Sequence, residues 1–68
     1  MTNNIPISRI AEILRELKNE FNIRAECITQ SSGALIFMDE NNVVLFLVVP
    51  NQDLDVSYCH YRRTVKHV

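Results

Sequence analysis

The sequence predicts an α+β domain in which an N-terminal amphipathic helix packs on an antiparallel β-meander of three to four strands. Two observations carry this. Apolar residues recur at helical spacing over the first third of the chain, and two apolar runs, 34–38 and 43–49, then follow in tandem with only Asp39-Glu40-Asn41-Asn42 between them. A third observation bounds the answer. Sixty-eight residues make one small domain, expected over 1–68 with 1–5 frayed, which buries only roughly 60% of its unfolded surface, so the core is thin. The 47% hydrophobic content with one glycine and two prolines argues against disorder.

The helix is expected to start near Pro6 to Ser8, because proline lacks an N–H that the first helical turn would leave unpaired anyway. Ile7, Ile10, Leu14, Leu17 and Phe21 mark its apolar stripe, widened by Ala11 and Ile13. Glu12, Arg15, Glu16, Lys18, Asn19 and Glu20 form a solvated opposite face, with Glu12 and Arg15 spaced to pair. Asn19 and Asn22 bracket its end, since asparagine tolerates the left-handed conformation found there.

Strands are expected over 23–29, 34–38 and 43–49, joined by turns at Gln30-Ser31-Ser32-Gly33 and at 39–42. The last segment reads two ways. Leu54, Val56 and Tyr58 alternate with polar residues as in a strand, yet Leu54, Tyr58, Tyr61, Val65 and Val68 also stand at helical spacing. The hairpin-like turn at 50–53 favours a strand from Leu54 to about Tyr61, with a short helix as the alternative.

Alternation divides the strands into two faces. Ala34, Ile36, Met38, Val43, Leu45, Leu47 and Val49, joined by Ala25, Cys27 and Thr29, are the expected seat of the helix. Leu35, Phe37, Val44, Phe46 and Val48 form the other face, a patch on the order of several hundred Å² that a single helix leaves open. These five residues are the expected interface, with a homodimer as the simplest assembly that buries it. A C-terminal helix folded over the patch would instead give a self-contained monomer.

Chemistry is sparse. Cys27, Cys59, His60 and His67 lack the paired spacing of zinc sites, so no metal or cofactor is expected. No base or pocket stands near a cysteine to activate it, and a single glycine rules out a phosphate-cradling loop. No catalytic residue is assigned. The charge is uneven: residues 1–55 hold four basic and eight acidic side chains, while 56–68 hold Arg62, Arg63 and Lys66 and no acid. With Tyr58 and Tyr61 these form a candidate nucleic-acid contact, unless they simply pair with the acidic helix.

The helix-then-three-strands order resembles that of double-stranded RNA-binding domains, which add a C-terminal helix. The lysine-rich start of that helix is missing, with Asp53 to Ser57 in its place, so the family is not carried over.

No secretory leader pattern is visible, and the longest apolar run has seven residues, far short of the ~20 a membrane span needs. The resulting expectation is a cytoplasmic, non-enzymatic interaction module. It would be a homodimeric accessory regulator or inhibitor whose partner is itself or another protein, with nucleic acid as the alternative partner.

Overall fold

A computed structural model describes residues 6–66 of the chain, and the side chains of residues 6–65. The elements run α1 (Ile7–Phe21), β1 (Ala25–Thr29), β2 (Leu35–Asp39), β3 (Val44–Val48) and α2 (Leu54–Lys66). The three strands form one antiparallel sheet in sequence order.

α1 begins after Pro6, whose backbone is extended and whose carbonyl accepts from the Arg9 and Ile10 amides. It ends at Asn22, left-handed at φ 56°, with the Ile23 amide closing back on the Leu17 carbonyl at 3.0 Å. That six-to-one bond satisfies a carbonyl the helix end would leave unpaired. Ile13 and Leu17 are fully buried, and Ile10, Leu14 and Phe21 pack around them, whereas Ile7 stands exposed at the tip.

The segment 54–66 is helical, so the strand favoured by the turn before it does not form. Asp53 decides the matter locally: its Oδ1 accepts from the Asp55 and Val56 amides at 2.8 and 3.2 Å, which caps the helix start. Leu54, Tyr58, Tyr61 and Val65 then fall on one side of α2. Leu54 and Tyr58 are buried, while Tyr61 and Val65 are half-buried.

Both hairpins use the same three-residue loop. The Gln30 amide bonds the Ala34 carbonyl and the Gly33 amide bonds Gln30; likewise Asp39 bonds Val43 and Asn42 bonds Asp39. The last loop residue is left-handed in each, Gly33 at φ 96° and Asn42 at φ 63°. A loop of this type shifts the pairing by one residue relative to a two- or four-residue turn, which turns every later side chain to the other face.

The second hairpin undoes that shift. Met38 pairs with Val44 but Phe37 pairs with Phe46, leaving Leu45 as the extra residue of a bulge. Leu35, Phe37, Phe46 and Val48 therefore share a face, while Val44 lies on the opposite one beside Met38. The first hairpin has no such correction. Cys27 pairs with Phe37 and Thr29 with Leu35, so Ala25, Cys27 and Thr29 stand on the Phe37 face and not, as the sequence suggested, with Ile36.

The helices also choose the other side of the sheet from the one expected. Ile13 and Leu17 of α1 and Leu54 and Tyr58 of α2 join Leu35, Phe37 and Val48 in one core. α1 lies against β1 and α2 against β3. Two helices on one face leave the face of Ile36 and Met38 without cover from either.

Candidate interaction surfaces

Four of the five residues expected to form an interface are occupied by the chain itself. Leu35, Phe37 and Val48 are buried, and Phe46 is half-buried between Phe37 and α2. Phe37 and Phe46 stack with ring centroids 4.4 Å apart, and Tyr61 stacks on Phe46 at 5.0 Å. The covering helix that would make the patch internal is α2. Val44 alone remains exposed, because the Leu45 bulge carries it to the other face.

The candidate nucleic-acid contact is likewise dispersed. Tyr58 is 2% exposed, and its hydroxyl donates to Glu16 Oε1 at 3.0 Å. Burial, followed by the nearby Glu16 carboxylate, pushes the phenol up to about 12. Arg62 bridges Glu16 at 3.2 Å and Glu20 at 2.7 Å. Its guanidinium lies 5.6 Å from the Tyr58 ring centroid, with Arg9 at 6.0 Å from the same centroid. Tyr61, half-buried on Phe46, is pushed up mainly by burial and then by the Asp39 charge. Arg63 is exposed, and the side chain of Lys66 lies outside the described residues.

The acidic column of α1 is therefore a tie between helices and not a bare solvated face. Arg9 adds a second fastening, with Nε 2.7 Å from Asp55 Oδ1 and the guanidinium also near Glu12 and Glu16. The pairing expected between Glu12 and Arg15 is made by Arg9 and Glu12 instead. Asp53 and Asp55 give the start of α2 a negative charge, opposite to what a phosphate there would need.

Two surfaces remain open. The first is the uncovered sheet face, where register places Ile28, Ile36 and Leu47 in one row across all three strands and Glu26, Met38 and Val44 in the next. Ile28, Val44 and Leu47 are each about half exposed, at 44%, 52% and 49%, with Ile36 and Met38 half-buried among them. Strand alternation alone assigns Ile36, Met38 and Leu47 to the seat of the helix. The signal that corrects it is the left-handed Gly33, which closes the first loop with three residues in place of four.

The second is a groove of about 510 Å³ between β3 and α2, walled by Leu45, Phe46 and Leu47 on one side and by Val56, His60 and Arg63 among others on the opposite side. Cys27 is half-buried on β1, where burial raises its thiol pKa, and Cys59 is exposed on α2. Among the described residues no three His, Cys, Asp or Glu side chains gather closely enough to hold a metal ion, and no helix is long and apolar enough to cross a membrane. No protein-family model, curated protein or solved structure matches this chain.

Proposed function

We propose that the protein is a non-enzymatic interaction module that pairs with a second copy of itself through the open face of its sheet. The observation that carries this reading is the row Ile28, Ile36 and Leu47, which crosses every strand on the side neither helix covers. Met38 and Val44 extend the row into a contiguous patch. Exposed isoleucine or leucine is ordinary when single, but a continuous apolar sheet face in water favours association.

Three strands of five residues give a face about 17 Å long and about 10 Å between the outer strand axes. Two such faces stacked at the usual sheet spacing bury on the order of several hundred Å² per copy, the lower end for a specific interface. The pairing is accordingly weak and concentration-dependent. That suits an accessory regulator or inhibitor whose assembly responds to its own abundance.

Sedimentation equilibrium across a wide concentration range tests the proposal. The mass rises from 7.9 kDa toward twice that value for the native chain. Ile28→Glu, placed at the edge of the row, holds it at the monomer. A native chain that stays monomeric at millimolar concentration would overturn self-pairing.

A further inference from the structure

The strand order stops at β3. Its inner side pairs with β2, and among the described residues no strand pairs with its outer side. An edge of this kind presents alternate N–H and C=O groups ready to accept another strand.

The groove between β3 and α2 lies along that edge. Phe46 and Leu47 stand on opposite faces of the strand and the groove touches both, with the bulge residue Leu45 beside them, which places it along the strand's outer rim. Its volume of about 510 Å³ falls within the range of real binding clefts, roughly 300–1,000 Å³. The floor is apolar and aromatic, formed by Leu45, Phe46 and Tyr61. The rim on α2 carries His60 and Arg63, and no acidic side chain lines the groove.

Arg63 is the telling residue. Its neighbour Arg62 turns toward α1 and is held by Glu16 and Glu20, whereas Arg63 is exposed and has no ion-pair partner among the described residues. A guanidinium lining an apolar cleft is complementary to a carboxylate attached to an apolar chain.

We propose that this groove binds an extended peptide segment in which acidic and apolar side chains alternate. The segment joins β3 as a fourth strand, seats apolar side chains against Phe46 and Tyr61, and brings a carboxylate to Arg63. Strand addition of this kind draws affinity from the main chain and selectivity from alternate side chains. The groove shares Leu47 with the self-pairing row, but Ile28 and Ile36 lie outside it, so Ile28→Glu separates the two sites.

Amide chemical-shift titration of the full-length 15N-labelled protein tests this. The probe is a pool of heptapeptides alternating Val, Ile or Leu with Asp or Glu. The expected result is movement of the amides at 45–47 and 60–64, retained in Ile28→Glu even if that variant shows self-pairing to be absent. Arg63→Glu, which alters an exposed side chain with no ion pair among the described residues, weakens binding about tenfold while the far-UV spectrum stays native. N-methylation of alternate peptide nitrogens, or replacement of the acids by lysine, abolishes it. The proposal is overturned if the acidic pool moves no amides at millimolar concentration or moves them elsewhere. It is equally overturned if Arg63→Glu or N-methylation changes nothing, or if decanoate, a carboxylate without a peptide backbone, binds the groove as well as the pool does.

Discussion

The Tyr58 hydroxyl donates to Glu16 Oε1 at 3.0 Å and joins the two helices through residues 42 positions apart in the chain. Glu16 also receives Arg62, so one carboxylate fastens two successive turns of α2 to α1. Tyr58→Phe removes one hydrogen bond but keeps the ring in the core, and leaves Glu16 still paired. Its expected cost is about 1 kcal/mol, measured as a lower midpoint of urea unfolding at unchanged slope. Tyr58→Ala also opens a cavity beside Phe46 and should cost about 3–5 kcal/mol.

Alkaline pH should loosen the same joint. In the folded protein the phenol of Tyr58 titrates at about 12, above the value of about 10 expected when unfolded. The folded state thus holds this proton more tightly, and the stability it confers is complete below pH ~10 and lost as pH rises toward ~12. A shift of this size corresponds to about 3 kcal/mol. Tyr58→Phe has no such proton to lose, so between those pH values its unfolding midpoint should fall less steeply than the native protein's. Equal slopes for the two proteins would show that the phenol is not the responsible group.

How much of this was legible in the sequence follows from the range of each interaction. α1, with its proline entry and Asn22 exit, is set by residues within a few positions of one another and reads directly. The alternation within each strand, Leu35 with Phe37 and Phe46 with Val48, is equally local, but the two pairs share a face because the Leu45 bulge cancels the shift of the three-residue loop. Which side the helices take is not local either, because that depends on α2 returning to the sheet and on a first loop of three residues in place of four. Gly33 and Asn42 are visible as turn formers, but the bulge at Leu45 that reverses the effect of the second loop leaves no mark in composition. The choice of helix over strand at Leu54 did have a signal: Asp53 stands immediately before an apolar periodic run, at the position of a helix cap.

That cap makes a separate prediction. Asp53→Ala removes the acceptor for two amides at the start of α2 and should cost about 1 kcal/mol, whereas Asp53→Ser should retain most of the stability. Thermal unfolding of the three proteins compares them. If alanine and serine behave alike, the helix start is held by tertiary contacts such as Arg9 with Asp55 and not by its cap.

The two loop residues with positive φ should respond oppositely to substitution. At φ 96°, Gly33 tolerates no side chain without strain, and a β-carbon there would stand 3.4 Å from Pro50 Cγ. Gly33→Ala is expected to lose about 1–2 kcal/mol. Asn42 already bears the cost of a side chain at φ 63°, so Asn42→Gly should be neutral or stabilising by a few tenths of a kcal/mol. Denaturant titration of both variants decides it.

The sheet's two faces yield the sharpest contrast, because adjacent residues should differ in what they do. Phe37 has no exposed surface, and Phe37→Ala should cost about 3–5 kcal/mol, enough to unfold much of a chain this small. Ile28 lies on the open face of the neighbouring strand and is 44% exposed. Ile28→Thr keeps a β-branched side chain on the strand and should change the monomer's stability by no more than about 0.5 kcal/mol. If Ile28→Thr is as damaging at micromolar as at millimolar concentration, the loss belongs to the fold of the single chain. If it is damaging only at high concentration, where the native protein gains stability by association, the open face is the surface where copies meet.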